Sequence, residues 1–363
     1  MTSFAQTEDA EFDQIVADFL KKYFVANPIS ATTIGFHDYD SMLDDVSFTS
    51  FQLQLRGLST IERRLGTVEI KKLSKEKYID YQVLSETIDE IFFSIEELRE
   101  HTWNPLVYTE AIGNSIAGLI YQDFAPLEER LRNAIERAKQ VPDFLYKAKE
   151  NLSEAPRMHV ETAIQQNQGN IKIFKDELTK AGSTARPEIQ TEIRSAIKIA
   201  IAALENFETF LQKSLLPKAM KDPRIGKDLF QKKLTFTLKS NLTAEQLLQQ
   251  ALAEKDRVHQ EMYNLAEPLY KEYYGNAPQG MDKLTIIKKV LDKIALDHCK
   301  KDDLMTTIQG MIPEIERFVI QKDLLTLDLT QPLVIRETPE YQRGIAVASL
   351  EAPGPLEKNL KTF

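Results

Sequence analysis

Along most of this chain, apolar residues recur at the three-to-four-residue spacing of an α-helix. Phe12, Ile15, Val16, Phe19, Leu20 and Tyr23 form one stripe, the signature of a helix with a single buried face. Asn27-Pro28 ends it, because the residue before a proline is pushed out of the α region. Tyr78, Tyr81, Leu84, Ile88, Ile91, Ile95 and Leu98 mark a second long helix beginning near Ser74. Pro105, Pro126, Pro142 and Pro187 stand near the starts of further periodic stretches, where a missing N–H is harmless. Gly182 suits a helix C-terminus. Thr243 and Gln246 make a capping box for a helix running to about Tyr274, which Gly275 closes. Asp302 opens a last helix carrying Leu304, Ile308, Ile312, Ile315 and Val319, with a bend expected at Pro313.

After about Asp328 the period changes. Leu333-Val334-Ile335 reads as a strand, and Ile345 through Leu350 as a second, bounded by Gly344 and by Pro353-Gly354-Pro355. The expected fold is therefore mainly α: an extended multi-helix body over residues 1–328 and the start of a small β region over 329–363. No repeat and no low-complexity linker divides the body.

Composition narrows the class. Of 363 residues, 42% are hydrophobic and 28% charged, the balance of a globular protein. A net charge of -9 argues against a nucleic-acid partner, which needs a basic face. No apolar run approaches the ~20 residues of a membrane span. Cys299 is the single cysteine, so no intrachain disulfide can form. The N-terminus lacks the charged and apolar regions of a signal peptide, although Ser3-Phe4-Ala5 has the spacing of a processing site. A cytoplasmic location is expected ahead of export with the signal removed.

Candidate chemistry is sparse. His259 and Glu261 are two residues apart, hence about 200° apart on a helix, and cannot share a metal ion. His298-Cys299 near Asp302 and Asp303 lacks ligands at a zinc-site spacing, and reads first as a dipole partner at a helix end. His37, between Asp38 and Asp40, is either an acid–base or ligand group or a residue packed within an Asx-type turn, the second being preferred. Phe92, Phe93, Trp103, Tyr108, Tyr121 and Phe124 read as core ahead of a groove lining. No nucleophile elbow, Walker loop or dinucleotide fingerprint occurs. The residues alone support no catalytic assignment and no metal ligand.

The order of segments carries more. Ile34-Gly35-Phe36-His37, then Asn104-Pro105 with Tyr108, Glu129-Arg130-Leu131 and Val141-Pro142-Asp143-Phe144-Leu145 resemble successive segments of the bacterial family called domain of unknown function 885. Ile225 to Phe230, Leu242 to Glu245 and Glu261-Met262 continue the series. Ile335 to Tyr341, running on to Ala348 and Pro353, resembles the strand pair that precedes the family's metal-binding helix. The resemblance implies a helical zinc-peptidase-like fold, in which a strand pair precedes an HExxH-type metal helix. This sequence ends at Phe363 without that helix, so the chain is expected to be the N-terminal, substrate-groove portion of such a protein and catalytically incomplete. Zinc is implied for a full-length relative and no cofactor for this chain.

On the same resemblance, an edge strand ahead of the metal helix would pair with an extended peptide substrate. Ala346, Ala348 and Ser349 have the place and small size for that contact, though an ordinary strand facing a helix fits them equally. Self-association through a bared apolar surface beside Ile345–Leu350 is expected too. The alternative is a stand-alone helical scaffold that binds peptides or partners without chemistry.

Overall fold

The computed structural model describes residues 2–276, 278–330, 333–338, 348–357 and Thr362, with residues 2–7 described in their backbone only. The chain forms two compact units, Met1–Ile225 with Asp328–Phe363, and Gly226–Leu327. The boundary at residue 225 has no counterpart in the pattern of the sequence, since Pro223 to Gly226 is a short break like several others. The C-terminal segment belongs to the first unit.

In the first unit, α1 (Thr2–Ala26) is followed across Asn27 by α2 (Pro28–Ile34). Next come α3 (Phe48–Leu65) and α4 (Lys75–Phe92), capped at their starts by the Ser47 and Ser74 hydroxyls. These caps accept the N–H groups of Ser50 and Lys77, satisfying donors a helix start leaves open. Then follow α5 (Glu100–Trp103), α6 (Leu106–Tyr121), α7 (Leu127–Asn151), α8 (Arg157–Lys172), α9 (Thr179–Ala181) and α10 (Pro187–Phe210).

Two apolar cores hold this unit. Phe12, Ile15 and Phe19 of α1 pack with Leu58, Ile61, Leu84 and Ile88 of α3 and α4, so the first stripe faces the core the pattern requires except at Leu20, which is exposed. The larger core joins α6, α7, α8 and α10 through Ile112, Ile116, Leu131, Ala138, Val160, Ala163, Ala200 and Phe207. Pro142 departs from expectation. It lies inside α7, not near a helix start. A proline there weakens a helix by roughly 3 kcal/mol. The burial of Ala138, Val141, Phe144, Leu145 and Ala148 around it holds the helix through that defect.

The second unit contains α11 (Lys227–Leu238), α12 (Ala244–Tyr274), α13 (Lys283–Ile294) and α14 (Leu304–Gln321). The Thr243–Gln246 capping box forms with both of its bonds, and Gly275 closes α12 with φ +76°. That left-handed conformation is one glycine adopts without steric penalty. Ala266 and Tyr270 of α12 pack on Ile286, Ile287 and Val290 of α13. No residue of α14 is buried, although its apolar stripe is where the sequence places it.

The expected β region is corrected. Among the described residues there is no strand, only one isolated parallel bridge between Leu333 and Thr362. Its bond runs from the Val334 N–H to the Thr362 carbonyl at 2.8 Å. The expected second strand lies partly outside the described residues; its described end, Ala348 to Leu350, is a bend and irregular chain. Period two is a weak guide here, because it reports fit to a pleated, half-buried surface, and the described end of this segment is exposed.

Candidate binding cleft

The C-terminal segment of the first unit lies against α2 and α6, and the space between them is the candidate site. One chamber, of about 330 Å³, is lined by Thr33, Asn114, Gly118 and Gln122 on one side and by Leu350, Glu351 and Ala352 on the other. A second, of about 530 Å³, is lined by Gly169, Lys172, Asp176, Glu177, Lys180 and Thr338. Tyr121 and Arg336 line both, which makes the chambers neighbours along one cleft.

Local structure explains how those two residues come to face it. Tyr121 is the last residue of α6, beyond the stripe of Tyr108, Ile112, Ile116 and Leu119 that anchors the helix in the core. The Arg336 guanidinium sits 4.3 Å from the centre of the Tyr121 ring and pairs with Glu351. A flat cation over an aromatic face gains from the ring quadrupole as well as from dispersion. Burial pushes the Tyr121 hydroxyl up to about 12, with Glu177 adding to the effect and Arg336 opposing it. It is therefore a protonated donor at neutral pH. After Lys172 the helix α8 widens into a π-type turn over Ile173–Leu178, a feature often found at functional sites. This turn carries Asp176 and Glu177 to the cleft.

Behind the first chamber a chain of polar contacts ties α7 to the C-terminal segment. His37 directs Nδ1 at Asp40 Oδ2 (2.9 Å) and Nε2 at Glu357 Oε1 (2.7 Å). Its ring stacks on Phe124, with centres 3.8 Å apart and planes 7° from parallel. The preferred turn reading for His37 holds in part. His37–Tyr39 is a single 3₁₀ turn and the ring is packed, but its partners are side chains, one of them 320 residues away in sequence. Gly35 (φ +92°) leaves room for Glu357: a Cβ there would lie 2.8 Å from Glu357 Cγ. At Gly354 a Cβ would collide with the backbone of Thr33 and Ile34.

The residues singled out for substrate pairing fare unevenly. Ala346 lies outside the described residues. Ala348 and Ser349 are exposed and not in a strand, whereas the next residue, Leu350, lines the cleft. Of the aromatic group, Phe93, Trp103 and Tyr108 are buried as core, and Tyr121 and Phe124 line the cleft instead. Arg336 falls within the Ile335–Tyr341 segment but nothing there marks it for a site, and Asn114, Glu351 and Glu357 are marked by no residue pattern, because their neighbours come from distant parts of the chain.

Neither His37 nor His298 fits the zinc that the resemblance implies for a full-length relative. Both His37 nitrogens face carboxylates, which leaves no lone pair for a metal ion. The His298 Nδ1 contacts the Cys299 carbonyl at 2.8 Å, and Glu261 pairs with Arg257. No group of three His, Cys, Asp or Glu side chains among the described residues is placed to hold a metal ion.

Comparison with solved structures places the chain among longer proteins. It superimposes with a TM-score of 0.75 on a protein of unknown function from Shewanella oneidensis, described as a candidate lipoprotein. The identity is 30%, over 97% of this chain and 64% of that one; this chain thus spans less than two thirds of that relative. A second candidate lipoprotein, from Colwellia psychrerythraea, is 14% identical with a TM-score of 0.66, over 97% of this chain and 67% of its own, and shows the same fold. Comparison with curated proteins gives no match. No helix among the described residues is long and apolar enough to cross a membrane. The family profile "Bacterial protein of unknown function (DUF885)" matches residues 28–363, and the chain belongs to that family.

Proposed function

We propose that this chain is the substrate-holding helical part of a peptidase-like protein, and that the cleft around Tyr121 and Arg336 takes an extended peptide. The observation that carries this reading is the cleft itself. It is mixed in polarity, is lined by Lys172, Lys180 and Arg336 as well as by Asp176, Glu177 and Glu351, and is bordered by the irregular backbone of Leu350 to Ala352. Irregular chain at a groove edge offers main-chain N–H and C=O groups to a peptide. On this reading the zinc and its ligands belong to additional chain such as the longer solved relatives possess, and this portion binds without cleaving. The stand-alone scaffold makes the same cleft its end in itself.

Two subsidiary proposals go with it. The descriptions of the solved relatives favour an exported, lipid-anchored setting over the cytoplasm for this protein as well, which cell fractionation tests. Leu350 and Leu356 are exposed beside the cleft, and self-association there would appear as concentration-dependent light scattering.

The test is binding of a library of short peptides to the purified chain, followed by fluorescence anisotropy. Arg336→Ala and Tyr121→Ala should each weaken the best binder about tenfold, the size of one good polar or stacking contact. No binding at millimolar peptide, or binding indifferent to both substitutions, would remove the proposal. Cleavage of bound peptides by this chain alone would overturn its non-catalytic part.

A further inference from the structure

Between α1 and α3 lies a trough of about 600 Å³ that shares no residue with the cleft. A volume of that size is typical of small-molecule sites. Its inner wall, from Phe19, Leu58 and Ile61, is apolar and buried, while its outer edge carries Val25 and Leu53, 48% and 61% exposed. A molecule seated there would remove apolar surface from water. Gly57 stands in the middle of α3 on the same lining, although only proline is a weaker helix former. Its backbone is not left-handed, and within 4 Å a Cβ there would meet only the Lys22 side chain, 3.8 Å away at Cδ. Neither conformation nor packing asks for glycine, and a longer side chain would enter the trough.

The charges along the edge are unequal. Asp18 pairs with Arg64 at 2.6 Å and Asp45 with Lys147 at 3.0 Å, so both carboxylates on the lining already have a cation. Lys21 and Lys22 line the trough too, and both are exposed. Among the described residues neither makes an ion pair; Lys22 acts on Asp18 only as a more distant charge. The adjoining chamber, across Tyr23, Asn27 and Gln54, brings in the carboxyl groups of Asp44 and Glu90. An anionic group is therefore favoured at the lysine end and opposed at the other.

We propose that the trough is a second binding site, for a single-chain aliphatic carboxylate. The alkyl chain lies over Gly57 against Phe19, Leu58 and Ile61, and the carboxylate meets Lys21 and Lys22. A neutral alcohol of the same length finds the apolar wall without the charge, and an alkylammonium meets like charge. The site stands apart from peptide binding in the cleft, so either can fail without the other.

The experiment is calorimetric titration of the intact chain with octanoate at neutral pH and low ionic strength, with 1-octanol and octylammonium as controls. Octanoate should fill one site at about 1 mM or tighter. Octanol should bind about tenfold more weakly, the size of two exposed ion pairs, and octylammonium more weakly still. Replacing both lysines (Lys21→Gln with Lys22→Gln) should bring octanoate down to the level of octanol. Gly57→Leu should abolish binding while keeping or raising the thermal transition, because leucine is the better helix former. If Gly57→Leu lowers that transition, the exposed lysine pair decides alone. Arg336→Ala, in the cleft, should leave octanoate binding unchanged. No saturation at several times that concentration, equal binding of octanol or octylammonium, or loss of octanoate binding in Arg336→Ala would each overturn the site. So would unchanged octanoate binding in the lysine variant or in a folded Gly57→Leu.

Discussion

Arg137 Nη2 donates to Thr32 Oγ1 across 2.6 Å, joining the middle of α7 to α2 inside the first unit. The arginine is wholly buried and also bonds the carbonyls of Ser115 (2.7 Å) and Met42 (2.9 Å). Burial pushes its guanidinium down to about 10, against the pull of Asp40 and Asp44, so it remains a cation at neutral pH. One side chain thus fixes α2, α6, α7 and the turn before α3.

Arg137→Met should destabilise the chain by about 3 kcal/mol or more in urea unfolding. It leaves buried carbonyls and Asp40 without their donor and counter-charge. A change below about 1 kcal/mol would mean that the network can rearrange around an apolar side chain.

Asp44 gives a pH signature of opposite sign to a surface salt bridge. Burial raises its carboxyl to about 6, against the Ile29 N–H at 3.0 Å and the charge of Arg137. The unfolded value is about 3.9, so the folded chain holds a proton that the unfolded chain has lost between these values. Its contribution is greatest below about pH 4 and declines as pH rises to about 6. Relative to wild type, Asp44→Asn should gain stability on the order of 2 kcal/mol between pH 4 and 7. A constant difference across that range would show that Asp44 is ionised throughout.

Gly35→Ala and Gly354→Ala should both release residues 354–357, the C-terminal strap, while leaving the helical core folded. In each case the new methyl meets the opposing chain, Glu357 in the first and the Thr33–Ile34 backbone in the second. The expected result is loss of amide protection at Leu356 and Glu357 with the main thermal transition shifted by only a few degrees. A large drop in that transition would place the strap within the cooperative core.

In the second unit, Thr243→Ala should cost about 1 kcal/mol, the value of an N-cap hydroxyl, since the Thr243 Oγ1 accepts the Gln246 N–H at 3.1 Å. Ile315→Gln and Phe318→Gln on α14 should each change stability by less than about 0.5 kcal/mol. Those residues are 50% and 53% exposed. Losses of 2 kcal/mol at α14 would show that its stripe is covered in solution.

Much of the helical framework was legible in the local pattern of the sequence. Period and punctuation located the buried faces of α1 and α4, the start of α4 at Ser74 and both ends of α12, because capping and one-sided burial are decided within a few residues. It also carried the family, through the order of weak motifs. It did not reveal that Pro142 sits within α7, that the segment after Asp328 forms no strand among the described residues, or that residue 225 divides two units. Each of these depends on what the segment packs against. The candidate site shows the same division. His37 was legible as a turn residue, but its stacking on Phe124 and its bond to Glu357 join positions far apart in sequence. Arg336 and Tyr121 likewise meet only because α6 ends where the returning chain crosses it. A side chain's local sequence fixes its backbone shape, whereas its charge partners and burial are set by distant residues, and those decide its chemistry.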